Sequence, residues 1–386
     1  GIPANYCLLH MKQRYNLLDG LRGVAALMVI VYHLYECFPM DTWIIGHGYL
    51  AVDFFFILSG FVIGYAYDDR WKKAGSGVEG SLSRDASRMT IGGFFRRRLI
   101  RLHPMVVFGV VWGLVTFLIQ GGTDWSGNKA ATSALMLSTL LALFLIPNVP
   151  GASTEVRGNG EMYPLNGPHW SLFFEYIGNI MYALFIHRMS TRMLTVWTVA
   201  LGILFAGFGI SDIVGYGNIG VGWTLDGFNF WGGLLRMSFS YSMGLLLCRQ
   251  FKPMKIRGAF WICTLLIVVF LAVPNLGVAW VNCLYEVLCV MTLFPLIVWM
   301  AASGKTTDRK STAVCDFLGN LSYPLYAVHY PTMYLFYHYI GFPETWRAPG
   351  ECGLWMVLLV VGNVVLAYLA WRFYDLPIRR WLSRLG

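Results

Sequence analysis

Apolar runs separated by short polar stretches dominate the chain, falling near 17–38, 49–66, 102–119, 131–147, 169–187, 193–210, 228–248, 259–274, 281–301, 314–340 and 353–374. Several reach the roughly 20 residues a helix needs to cross a hydrocarbon core. Lysine and arginine gather before the first run, in the linkers at 70–101, 188–192, 249–257 and 304–310, and again after residue 371. The bias of basic residues toward the cytoplasm puts all of these on one side. Parity then decides one ambiguous run, because an even number of crossings must separate 70–101 from 188–192, yet three runs lie between them. The run at 131–147 is short and ends in Ile146-Pro147-Asn148, so it is expected to be a re-entrant or surface helix on the outer side. The pattern therefore predicts an all-α, polytopic transmembrane helical bundle of about ten spans plus that helix, with both termini cytoplasmic. It reads as one integral domain over 1–386, with a basic cytoplasmic linker at 67–101 and an outer-side loop carrying a hydrophobic segment at 120–168.

Composition agrees: 57% apolar and 13% charged residues, with a mean hydropathy of +0.57, lie far outside the range of soluble domains. The net charge of +9 needs no nucleic-acid partner, since basic residues flanking apolar helices produce it. Eight cysteines occur without a CxxC pair or a histidine at ligand spacing, so neither a disulfide framework nor a metal is expected. The first run is broken by Arg22 and is too long for the core of a signal peptide, so it is read as the first span.

Charged groups at bilayer depth cost on the order of 3 kcal/mol each and are functional candidates by default. The first span holds three of interest. Asp19 and Arg22 share a helix face near the cytoplasmic end, where an i,i+3 ion pair with a snorkelling arginine is the plain alternative. His33 lies eleven residues beyond Arg22, roughly 16 Å along the same face, and this places it near mid-bilayer. Its readings are proton transfer or a helix–helix hydrogen bond. In the second span Asp53 is placed to orient a histidine. The run beginning Pro168-His169-Trp170-Ser171 enters from the outer side and sets Glu175 about 8–9 Å in, near the depth of His33. Glu286, His329 and His338 occupy later spans. The linker segment 68–101 carries nine basic against four acidic residues, and its end is expected to put Arg97, Arg98 and Arg101 on one helix face at the membrane entry. Three guanidinium forks there suit a phosphate-bearing ligand, with anionic lipid headgroups as the alternative.

Five motifs in order resemble the acyltransferase 3 family of membrane-bound O-acyltransferases. They are Leu18-Asp19-Gly20-Leu21-Arg22-Gly23 with His33 in an Arg-x10-His spacing, Gly48 to Phe61, Phe95-Arg96-Arg97-Arg98-Leu99-Ile100-Arg101-Leu102-His103-Pro104, Trp170-Ser171-Leu172 with Glu175, and Leu318 to Tyr326 with His329. The resemblance implies an enzyme of the bacterial inner membrane that moves an acyl group, usually acetyl, from cytoplasmic acetyl-CoA to a hydroxyl of an extracytoplasmic glycan or glycolipid. It makes Arg22 and His33 the catalytic pair and Arg98 and Arg101 the Arg-x-x-Arg element. Trp170, Ser171, Tyr323 and His329 fall in the family's motifs and are expected to contact substrate. The chain ends soon after its last span, so the esterase-like domain fused in some members is not expected.

The chemistry fits the residues independently. A hydroxyl attacking a thioester needs a base near its proton, the role of His33. Glu175 or Asp53 would hold the second ring nitrogen, and Arg22, Arg98 and Arg101 would hold CoA phosphates. An acyl-enzyme on His33 or Ser59 is the variant route. A proton- or anion-coupled transporter is the competing function; the absence of a visible inverted repeat and the placement of the arginines at a helix end speak against it.

Overall fold

The computed structural model describes residues 15–72, 88–149, 151, 153–306, 308–341 and 348–385, and among these the regular structure is helical, with two isolated β-bridges. The central part of the basic linker, 73–87, lies outside the described residues. In chain order the helices are α1 (Asn16–Tyr35), α2 (Ala51–Lys72), α3 (Ile91–Ile119), α4 (Thr132–Leu143), α5 (His169–Leu184), α6 (Thr191–Ile210) and α7 (Gly227–Gln250). They continue with α8 (Ala259–Ala272), α9 (Ala279–Leu288), α10 (Phe294–Ser303), α11 (Arg309–Phe336), α12 (Gly353–Leu369) and α13 (Leu376–Arg384). Wide π turns join α9 to α10 and α12 to α13, making two long, locally unwound rods.

Six helices among the described residues are long and apolar enough to cross a bilayer: α1, α2, α3, α6, the α9–α10 rod and the rod ending in α13. The chain is thus a helical membrane protein. The apolar run expected to begin at residue 102 is the C-terminal part of a longer helix. Helix α3 starts at Ile91 under a Thr90 cap, whose hydroxyl accepts from the Gly93 amide, so the arginines of 96–101 are helical and the linker is shorter than 67–101.

Two helix pairs make the centre, α1 along α11 and α2 along α7. Both depend on missing side chains. A Cβ on Gly60 would stand 2.0 Å from the carbonyl oxygen of Tyr241, and one on Gly244 would stand 2.0 Å from that of Ile57, so α2 and α7 touch backbone to backbone. Gly23 and Gly319 do the same for α1 and α11, against Leu318 and Asp19 respectively.

Helix α4 has 12 residues, about 18 Å, short of a roughly 30 Å core. Its last carbonyl, on Leu143, meets His103 of α3 at 2.7 Å. From there to residue 168 the described residues form no helix, and many are buried: Val156, Arg157, Met162, Tyr163 and Leu165 are each at most 1% exposed. Non-helical backbone at this position survives only when its polar groups are satisfied by protein. Asn166 does this for two helices, donating to the carbonyls of Gly109 in α3 and Ala327 in α11. The return segment therefore begins α5 beside the middle of α3.

Candidate active site

Two cavities face each other along α1. The inner one, about 190 Å³, is lined by Asp19, Arg22, Ser59, Arg98, Arg101, Ser171, Glu175 and Tyr323 among others. The outer one, about 380 Å³, is lined by His33, Glu36, Tyr49, Asn159, Glu161, Trp170, Tyr216, Trp223, Arg236 and Tyr330 among others. Val52 and Tyr326 border both. At this partition the Ser171 and Tyr326 hydroxyls lie 2.7 Å apart, and both approach the Pro168 carbonyl.

In the inner cavity Arg22 bonds Asp19 at 3.0 Å one turn below it. Arg98 bonds Glu175 Oε1 at 2.9 Å, and the Ser59 hydroxyl donates to the same oxygen at 3.2 Å. Among the described residues the Nε of Arg98 has no hydrogen-bond partner although it is buried. Tyr323 donates to the Leu102 carbonyl at 2.5 Å, pinning α11 to α3 at the cavity wall. Arg97 differs from the expected grouping. It stands exposed on α3, one residue and about 100° round the helix from Arg98, and faces a separate basin that Arg101 also borders.

At the outer end of α1, His33 Nδ1 lies 2.9 Å from Glu36 Oε2. Tyr330 and Tyr337 donate to that same carboxylate oxygen at 3.3 and 3.1 Å, and Tyr337 also bonds the His33 carbonyl. The His329 ring stacks near the His33 ring, with centroids 5.4 Å apart, and its Nδ1 meets the Tyr326 carbonyl. Thus the acid beside His33 is Glu36, and the pairing expected with Glu175 or Asp53 does not occur. Glu175 lies in the inner cavity because α5 begins deep in the bundle, below the outer surface. His33 itself sits two residues before the end of α1, so it faces the outer cavity instead of mid-bilayer.

Asp53 has another partner. Arg236 of α7 grips it with two bonds of 3.0 and 2.7 Å and also reaches the carbonyls of Val221 and Tyr49. Both side chains are essentially sealed, at 0% and 2% exposure, and the Arg236 guanidinium stands 5.2 Å from the Trp170 ring. Glu286 is similarly committed, to Tyr49, Asn282 and the Ile219 amide, with His47 nearby.

The outer wall contains a caged cation. Arg157 is fully buried, bonded to Gln120 and the Pro164 carbonyl, with its guanidinium 3.6 Å from the Tyr334 ring centroid and close to Phe117 and Trp125. Beside it, burial pushes the Glu161 carboxyl up to about 7; Arg157 and Asn159 work against this rise and Glu36 adds to it. Glu36 and Arg236 were both missed in the sequence. A His-x-x-Glu spacing and an arginine inside an apolar run were the available signals.

The sequence pattern of the family described as Acyltransferase domain matches residues 15–372. The chain belongs to this family. OatA, an O-acetyltransferase of Staphylococcus aureus, is 22% identical over 387 residues, covering 94% of this acyltransferase chain and 57% of OatA. The chain therefore spans little more than half the length of that relative. A Rhizobium radiobacter protein named Protein 2 in picA locus is 31% identical over 206 residues, covering 51% of this chain and 97% of that protein. No solved structure matches the chain significantly. Both cavities lie within the matched region.

Proposed function

We propose that the protein is a membrane O-acetyltransferase that moves an acyl group, acetyl by family analogy, from cytoplasmic acyl-CoA to a hydroxyl of an extracytoplasmic glycan or glycolipid. The observation that carries this reading is the end-to-end arrangement of a cationic inner cavity and a histidine–carboxylate outer cavity that share Val52 and Tyr326. Such a pair lets a donor and an acceptor approach one reaction point from opposite sides of the bilayer. In this topology α5, α7, α8 and α11 complete ten crossings, α4 is re-entrant, and the termini are cytoplasmic, as suits a bacterial inner membrane.

Arg22 and Arg98 fit the donor by charge, and the unpartnered Nε of Arg98 leaves a donor for it. The outer cavity suits a sugar: Trp170, Trp223, Tyr216 and Tyr330 offer ring faces, and Asn159, Glu36 and Glu161 offer hydrogen-bonding groups. His33 takes the proton of the acceptor hydroxyl as its oxygen attacks the thioester carbonyl. Glu36 Oε2, 2.9 Å from the other ring nitrogen, balances the imidazolium that forms. The Tyr326 and Ser171 hydroxyls, on turning from the Pro168 carbonyl, donate to the oxyanion that develops. As the new C–O bond forms and the C–S bond breaks, the proton on His33 passes to the departing CoA sulfur.

The test is acetyl-CoA binding and thioester cleavage by the purified protein in nanodiscs. Arg98→Ala should weaken binding about tenfold or more, whereas His33→Ala should bind normally and lose about 100-fold or more in turnover. A wild-type protein that neither binds nor cleaves acetyl-CoA refutes the reading.

A further inference from the structure

Below the inner cavity, where α13 packs on the first turns of α3, an open basin of about 860 Å³ is bordered by Arg96, Arg97, Arg101, Arg379, Arg380 and Arg384. Among the described residues that border it there is no carboxylate; the adjacent Asp375 is buried and reaches Arg379 at 3.4 Å. Arg96 is partly used, donating to the Leu382 carbonyl near the end of α13. Six guanidinium groups around one hollow repel each other unless an anion sits among them. Ordinary anchoring by basic residues at the cytoplasmic face does not require that they converge from two helices distant in sequence.

Arg101 decides what that anion is. It borders the basin and also the inner cavity, and it lies within electrostatic reach of Arg379 on one side and of Arg22 and Arg98 on the other. The two hollows therefore meet at Arg101. We propose, resting on the acyl-CoA reading above, that this basin holds the phosphates at the nucleotide end of the donor while its acylated arm extends past Arg101 into the inner cavity. The diphosphate and ribose phosphate of CoA carry about four negative charges near neutral pH, a match for a six-arginine basin. A phospholipid headgroup offers the same phosphate chemistry with about one charge and does not explain the connection to the inner cavity. Helix α13 thereby becomes part of the donor site.

The full chain is to be tested in phosphatidylcholine nanodiscs, comparing affinities for acetyl-CoA, acetyl-(3′-dephospho)-CoA and S-acetylpantetheine. Arg379→Ala/Arg380→Ala/Arg384→Ala should weaken acetyl-CoA about tenfold or more and flatten the preference for it over the dephospho form. It should leave S-acetylpantetheine within about twofold. The matching triple lysine variant, which keeps the charge, should recover much of the loss. If the triple alanine variant binds acetyl-CoA as the wild type does while Arg98→Ala loses it, this inference falls and the donor reading stands; if the wild type binds none of the three, the donor reading itself falls. Equal loss of acetyl-CoA and S-acetylpantetheine overturns a phosphate-specific role. A parallel set of nanodiscs containing phosphatidylglycerol separates the sources: lipid retention lost with acetyl-CoA affinity unchanged assigns the basin to lipid and overturns the proposal.

Discussion

Asp53 matched a family motif and invites a catalytic role, but its geometry predicts a different phenotype. Asp53→Ala leaves the Arg236 guanidinium, 2% exposed, with the carbonyls of Val221 and Tyr49 and the face of Trp170 but without a counter-charge. Removing one member of a buried pair costs about 3–5 kcal/mol, largely as the penalty of the stranded charge. The remaining carbonyls argue for the lower end, about 3 kcal/mol. Spread over an unfolding entropy of about 2 cal/mol/K per residue and 386 residues, this lowers Tm by about 4 °C. Arg236→Met should act similarly, stranding Asp53. The double variant Asp53→Ala/Arg236→Met strands nothing, so it should be more stable than the sum of the single effects by about 2 kcal/mol or more. The assay is a thermal melt in detergent beside acetyl-transfer kinetics on the same preparations. If Asp53→Ala melts with the wild type yet has lost turnover, and the double variant is equally dead, the pair is chemical and the reasoning here is wrong.

Other expectations follow from the same geometry. Glu36→Gln keeps an acceptor for Tyr330 and Tyr337 but removes the charge beside His33, so turnover should fall about 100-fold or more with acetyl-CoA affinity unchanged; unaltered turnover denies Glu36 any part in the step. Val52→Trp fills the shared border of the two cavities, and acceptor acylation should drop at least about 100-fold while acetyl-CoA still binds; transfer at the wild-type rate would show that the groups do not meet there. Glu161 binds its proton more tightly in the fold, near 7, than a free carboxyl does at 4.5. The folded state therefore holds the extra proton between these values, and its stabilising effect is complete below 4.5 and lost as pH rises through 7. Glu161→Gln should raise Tm relative to wild type at pH 8 by the equivalent of at most about 3 kcal/mol, with the difference vanishing at pH 4; a difference independent of pH refutes the shift.

What the sequence made legible was set by what hydropathy measures. Apolar length marked most helices, and residues singled out by motif spacing fall into two groups: Asp19, Arg22, Arg98, Glu175, Ser171 and Tyr323 share one cavity, while His33 and Trp170 share the other and His329 stacks by His33. Depth was not legible. The position of Glu175 depends on where α5 begins, and that depends on Asn166 reaching carbonyls 57 and 161 residues away, a non-local bond with no periodic trace. Counting Glu175 inward from an assumed surface put it beside His33, whereas the diving segment carries its helix down to the arginines. Partner choice was equally hidden. Asp53 and Arg236 stand 183 residues apart, and only the backbone contact of Gly60 with α7 and Gly244 with α2 brings their helices close enough to pair. With Asp53 and Arg236 cancelling each other between α2 and α7, the cationic inner cavity and the carboxylate-bearing outer one are separated by a neutral partition at Val52 and Tyr326. Across such a partition only an uncharged group of the donor, such as an acyl thioester, passes without an electrostatic penalty. With acyl-CoA as the donor, as proposed, its phosphates would be held back on the arginine side, and the partition would act as a filter for the part of the donor that reacts.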